Sequence, residues 1–278
     1  MSMPGEGLSS FQRDPSFTYD WATGNRYNRC FIEALDGRAV SAAFLPECNG
    51  RDGTASAAPL VVLWGDSHAA SLYPGLHRQS QLQGFGLAQF TAAGCPPVLD
   101  FEVENKKDCV EVNRYAWSKI AELRPHSVIL SAHWSMYNGE EKWNKLDYEK
   151  LRLTLQQLRS QPVDNVVLIG HLPLFKSRQP KVGARTFRAN AVDRTYKTFN
   201  PLAVETDKKL RTIAQQQNVA FVSPIDLLCN AEGCLISTSK EILRPLAWDN
   251  SHLTEDGSNL LIELAVQNHR LNLPHPPP

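Results

Sequence analysis

The sequence predicts an α/β fold, a three-layer α/β/α sandwich around a five-stranded parallel sheet. Three observations predict it: five short apolar runs without polar alternation, amphipathic stretches of helical period between them, and 278 residues at 42% hydrophobic, enough for one sizeable core. Short, predominantly apolar runs suit strands buried on both faces. Strands that alternate with helices are joined by right-handed crossovers into a parallel sheet.

Residues 1 to about 55 carry Gly, Ser, Asn and Asp at close intervals without a sustained period, and they end in NGRDGTASAAP. An irregular N-terminal extension, pinned by Cys30 and Cys48, is expected there, followed by a catalytic-size domain over 56–278. From Pro59 the pattern changes. The apolar runs are LVVLW at 60–64, FGLAQF at 85–90, SVILSA at 127–132, VVLIG at 166–170 and VAFVS at 219–223. Covering helices are expected over 108–123, 144–160 and 202–217, where apolar residues recur three or four apart, as in Leu151, Leu155 and Leu158. The last helix starts after Thr254 as N-cap, carries Glu255 and Asp256 in its first turn, and is expected to bury Leu260, Leu261 and Leu264. The closing LPHPPP reads as a frayed tail.

Charge and cysteines bound the setting. Lysine and arginine total 29 against 29 aspartate and glutamate, so no basic field favours nucleic acid or an anionic membrane surface, and neutral or small partners are expected. The start MSMPGEGLSS lacks the basic and apolar regions of a signal peptide, and nowhere do 18 apolar residues run together. The expectation is a soluble domain cut from a longer protein. Six cysteines allow fifteen pairings, yet these fall into three local couples: Cys30 with Cys48, Cys95 with Cys109, and Cys229 with Cys234. No CxxC and no zinc-finger histidine spacing accompanies them, so no metal is expected. Three disulfides and an oxidising compartment are.

In open parallel sheets, sites form beyond the carboxyl ends of strands. Directly after the first run stands Gly65-Asp66-Ser67-His68, then AASLYPGL, which can turn into a helix. A serine in that turn projects its hydroxyl above the sheet, where backbone N–H groups and the helix dipole can meet a developing oxyanion. Serines at helix starts also serve simply as caps. Near the other end, Asp249 and His252 are spaced so that the carboxylate can orient the imidazole, which makes His252 a competent base for the Ser67 hydroxyl.

This combination resembles the SGNH, or GDSL-like, hydrolase superfamily, in which the first block supplies the serine and a late DxxH supplies acid and base. More narrowly, LWGDSHAASLYPGL, AAGCPP and DNSHLTEDG look like the SGNH domain fused behind the acyltransferase-3 membrane domain of bacterial glycan O-acetyltransferases. The resemblance implies a flavodoxin-like sheet, Ser67 as nucleophile, His252 as general base and later acid, Asp249 as its orienter, and acyl transfer through an acyl-serine. It further implies an extracytoplasmic domain on the periplasmic side of the bacterial inner membrane. The acetyl donor, a cell-surface glycan acceptor such as O-antigen polysaccharide, and the fused membrane domain would be its partners; no cofactor and a monomer are expected.

By the same resemblance the N–H groups of Ser67 and Gly94 form the oxyanion hole. The third block departs from the family: where an asparagine usually stands after strand three, this chain reads Ser131-Ala132-His133-Trp134. Trp134 is the favoured replacement donor, with His133 the other. Asp66 is expected to brace the turn, and His68 flanks the serine. His171, after strand four, either lines the pocket or belongs to the polar rim, and Trp64, Tyr73, Trp117, Tyr137 and Trp143 are too scattered to define a sugar platform. A flavodoxin-like cofactor binder is disfavoured because no GxGxxG or phosphate loop follows the first strand. A secreted carbohydrate deacetylase shares every motif and differs only in passing the acyl group to water. A glycan-binding pseudo-enzyme is opposed by the intact Ser67, Asp249 and His252.

Overall fold

Burial on both faces is what turns the apolar runs into central strands. The structure, a computed structural model, describes residues 18–275 except 34, 36, 52–57, 105 and 140–143. All six residues of Leu60–Gly65 (β2) are buried, and successive side chains go to opposite layers. Val62 and Trp64 enter one core, while Val61 and Leu63 enter the other. Each large aliphatic side chain so withdrawn from water contributes roughly 1.5–3 kcal/mol, enough to specify the register.

Gly86–Ala92 (β3), Ser127–Ser131 (β4), Asn165–Ile169 (β5) and Ala220–Val222 (β7) are the other four expected strands, within one or two residues of their apolar runs. All pairings in this sheet are parallel. The sheet has six strands rather than five, in the order β1-β3-β2-β4-β5-β7. The added edge strand is Phe31–Ile32 (β1), contributed by the extension and paired with Thr91 and Ala92. Two residues give no periodicity to read. The Cys30–Cys48 disulfide and the burial of Ile32, Phe44 and Cys48 in the main core fasten this segment.

On one face lie Cys109–Leu123 (α5), Tyr148–Arg159 (α6) and Leu202–Gln216 (α8), burying Val112, Ile120, Leu151, Leu155 and Leu210. Helix α6 starts later than expected because Asp147 caps it, accepting from the N–H groups of Glu149 and Lys150. On the other face lie Tyr73–Gln83 (α4) and Glu255–Gln267 (α10). Thr254 caps α10 by accepting from Gly257 N at 3.1 Å. The buried stripe of α10 is Leu261, Ile262 and Ala265, with Leu260 and Leu264 only half-buried beside it. Gly75 lets α4 and α10 close together, since a Cβ there would lie 2.4 Å from Ser258 O.

Not anticipated were the short helices Val40–Ala43 (α2) and Pro224–Leu228 (α9), Gln179–Thr186 (α7), and a small antiparallel sheet of Arg194–Thr195 (β6), Gly233–Leu235 (β9) and Cys229–Asn230 (β8). The Cys229–Cys234 disulfide joins directly paired residues of that sheet. Of the expected frayed end, Leu273 and Pro274 are buried and His275 is exposed, and 276–278 lie outside the described residues, as do 1–17 and Trp143. Among the described residues no helix is long and apolar enough to cross a membrane.

Candidate active site

Strand β2 ends where only glycine fits. Gly65 has φ 156°, and a Cβ on it would lie 1.8 Å from Ser131 O of the neighbouring strand. The chain then turns sharply into Ser67–Ala70 (α3), with Ser67 as first helical residue, its N–H one of the donors a helix start leaves unpaired within the helix. Asp66 caps α3. Its Oδ1 accepts from His68 N at 2.8 Å, and its Oδ2 accepts from His133 N at 2.9 Å and from the Tyr137 hydroxyl at 2.7 Å. The turn is thereby tied to the exit of β4. Complete burial pushes the Asp66 carboxyl up to about 6, against the pull of these three hydrogen bonds.

The loop 247–254 brings the other residues over this turn. It is closed by a bridge between Ala247 and Leu253 and by Trp248 N donating to His252 O at 2.9 Å. Asp249 Oδ1 accepts from the N–H groups of Ser251 and His252 at 2.8 and 2.7 Å, leaving Oδ2 to the ring. Asp249 Oδ2 lies 2.6 Å from His252 Nδ1, and His252 Nε2 lies 2.8 Å from Ser67 Oγ, across 185 positions of sequence. With the Nδ1–H donated to the carboxylate, Nε2 is the acceptor for the serine proton. Burial favours neutral imidazole, but the charge and hydrogen bond of Asp249 outweigh it and raise His252 above 6.5. Burial alone would raise Asp249; His252 and the two backbone donors instead hold it below the usual carboxylate value. All three residues are half-buried.

Three further imidazoles cluster beside His252, one of them in contact with its ring. His68 meets it nearly at right angles (4.7 Å, 85°), His133 stacks on His68 (4.3 Å, 8°), and His171 meets His68 edge-on (6.1 Å, 85°). Burial, joined for His68 and His133 by the neighbouring imidazoles, pushes all three below 6.5, His171 to about 4, so they are neutral at physiological pH. The rings meet by faces and edges. Among the described residues no group of three or more His, Cys, Asp or Glu is placed to hold a metal ion.

The family model for the SGNH domain, described as fused to AT3 domains, matches residues 29–267. The chain belongs to this family. Comparison with curated proteins gives no significant match. Among solved structures, this SGNH domain is similar to the periplasmic domain of the lipopolysaccharide acetyltransferase of Salmonella ser. Paratyphi A. The TM-score is 0.72 at 19% identity, over 96% of this chain and 97% of that one. A carbohydrate acetylesterase from Sinorhizobium meliloti, Est24, is a more distant neighbour, with TM-score 0.43 at 13% identity over 76% and 97% of the two chains. The fold is shared with that acetyltransferase domain over nearly the whole chain.

The remaining site residues of the SGNH domain divide clearly. Gly94 stands in the turn after β3 with φ 70°, a backbone conformation suited to glycine, at the same end of the sheet as Ser67. The Cys95–Cys109 disulfide fastens its loop to α5, as does Asn113, whose Nδ2 donates to Pro96 O and Val98 O. Trp134 is not an oxyanion donor: it is fully buried, and its Nε1 donates to Ile169 O at 3.0 Å, because burying so large a ring requires its N–H to be satisfied inside. His133 stands two residues beyond Ser131, the register partner of Gly65, and its N–H is held by Asp66 of the turn that carries Ser67. The His133 ring is half-buried, and among the described residues neither ring nitrogen has a hydrogen-bond partner.

His171 is not polar rim. It is fully buried, donating from Nδ1 to Leu172 O and accepting at Nε2 from Ser135 Oγ, both at 2.6 Å. Tyr137, dismissed as one of a scatter, holds Asp66. Trp64 donates to Asn113 Oδ1 at 2.8 Å within the core. Trp117 packs half-buried against that core, and Arg26 covers the Tyr73 ring at 4.9 Å. Trp21 and Trp248, which stack beside the imidazole of His252, were missed altogether. Nothing local in the sequence couples residues so far apart.

Proposed function

We propose that the chain is the extracytoplasmic domain of an O-acyltransferase that carries an acetyl group on Ser67 to a hydroxyl of a cell-surface glycan. The observation that carries this reading is the unbroken relay from Asp249 through His252 to Ser67, at 2.6 and 2.8 Å. In the first half-reaction Ser67 Oγ attacks the acetyl carbonyl as its proton passes to His252 Nε2. The imidazolium is stabilised by Asp249, and the same proton then goes to the departing donor group. In the second half, His252 takes the proton of the acceptor hydroxyl as that oxygen attacks the acyl-serine, and it returns the proton to Ser67 Oγ. The N–H groups of Ser67 and Gly94 would receive the oxyanion, with the neutral His133 imidazole donating in place of the absent asparagine.

The acceptor class and the location follow from different supports. The family is one fused to AT3 membrane domains, and the Salmonella acetyltransferase domain shares the fold over nearly the whole chain. Three disulfides fit an oxidising compartment, hence the periplasmic side of the membrane. The extension before residue 56 would lead back to the membrane domain. The first test is release of p-nitrophenol from p-nitrophenyl acetate: slow turnover is expected, and none above background in Ser67→Ala. Turnover that survives in Ser67→Ala removes Ser67 from the chemistry.

A further inference from the structure

Two hydrogen bonds hold His252 at its ring nitrogens, and together they define an axis about which the ring can still rock. The Nδ1–H and the Nε2 lone pair lie in the ring plane, oblique to that axis, so rocking misaligns both bonds; the terminal torsion of histidine is broad and does not prevent it. A flat surface against the ring does. Trp248 supplies one, lying nearly parallel to His252 at 5.2 Å and 21°. Trp248 is in turn covered by Trp21, at 5.7 Å and 13°.

Trp21 belongs to the extension. It opens the short helix Trp21–Gly24 (α1), which Asp20 caps by accepting from Thr23 N at 3.1 Å. Its ring also packs edge-on against Tyr27 (5.0 Å, 68°) and against Phe31 of β1 (6.5 Å, 69°). Phe31 is paired with β3 and follows Cys30 of the Cys30–Cys48 disulfide. A run of ring contacts thus joins the edge of the sheet to the imidazole beside Ser67.

We propose that Trp21 is a positioning residue for the reaction: it holds Trp248 against the ring of His252, so the N-terminal extension completes the active site. The inference rests on the acyl-serine reading of Ser67 and His252. A stack of this kind acts on the orientation of the base and leaves the pocket for the ester unchanged, so its loss falls on kcat.

The experiment measures turnover of p-nitrophenyl acetate by the full chain, with competent sites counted by stoichiometric reaction with diethyl p-nitrophenyl phosphate. Trp21→Ala is expected to lower kcat per competent site roughly tenfold, with KM within about twofold, as for a site whose supporting shell is loosened. Trp21→Phe is expected to restore most of the rate. Trp21→Leu keeps apolar bulk without a flat ring and is expected to behave as Trp21→Ala, which provides the test if the alanine variant does not fold. A merely structural role would lower the number of competent sites and leave the rate per site unchanged. Wild-type kcat per site in Trp21→Leu, with Ser67→Ala inactive, overturns this inference and leaves the acyl-serine reading standing. Turnover in Ser67→Ala overturns the reading itself.

Discussion

At the scale of single residues, Ser67 and His252 are proposed to act as one unit, and their substitutions should show it. Ser67→Ala and His252→Ala are each expected to lower kcat on the order of 10³-fold or more, with the double variant scarcely worse, because either loss disables the same proton transfer. Losses that multiply in the double variant would separate the two residues. The pH profile carries the second test. Protonated His252 cannot accept the serine proton, and its raised pKa places the rise of kcat/KM with pH above 6.5. The sign is opposite for folding. A raised histidine contributes stability that is complete below 6.5 and lost as pH climbs through the folded value, so activity should rise over a window in which this contribution fades. A flat kcat/KM between pH 5 and 8 contradicts a histidine base. These residues were legible because a Gly-Asp-Ser-His turn and a late DxxH carry chemistry in local spacing. Which residue the missing asparagine leaves free to face the site was not legible, because two adjacent residues both carry an N–H and only the fold decides that Trp134 turns inward while His133 stays half-buried.

At the scale of elements, β2, β3, β4 and β5 were readable because nearly every residue in them is buried, which leaves apolar runs without an exposed polar alternation, and β7 was readable through the apolar run around it. Strand β1 and the small β6-β9-β8 sheet were not, being two or three residues long and formed only through tertiary pairing. Local cysteine couples, in contrast, translate directly into bridges. Two of these bridges allow a controlled comparison. Cys30–Cys48 and Cys95–Cys109 close loops of 18 and 14 residues, each worth about 3 kcal/mol in chain entropy, so removing either costs comparable stability. Their effects on activity should differ. The 95–109 bridge immobilises the loop that carries Gly94, whereas the 30–48 bridge acts on the site through two stacked rings. Replacing Cys95 and Cys109 by alanine is expected to reduce ester turnover more than replacing Cys30 and Cys48, measured per competent site. The reverse order would place the oxyanion donor elsewhere than on Gly94.

At the scale of the whole molecule, the SGNH domain presents a half-buried triad at the carboxyl end of its sheet, with the N-terminal extension packed beside it. A transferase must favour a sugar hydroxyl over water, which positioning and exclusion of solvent achieve only once the acceptor is bound. Alone, the domain should therefore cleave small activated acetyl esters slowly, and rapid deacetylation of a polysaccharide, at roughly the 10 per second typical of enzymes, would make it a deacetylase instead. Both fates of the acyl group pass through the same covalent intermediate. The most direct measurement is the intact and peptide mass of the chain after brief exposure to p-nitrophenyl acetate and acid quench. A single added acetyl group on the peptide containing Ser67, absent in Ser67→Ala, is the expected result; turnover with no acetyl on Ser67 at any quench time, or acetyl carried by another residue, would contradict acyl transfer through this serine.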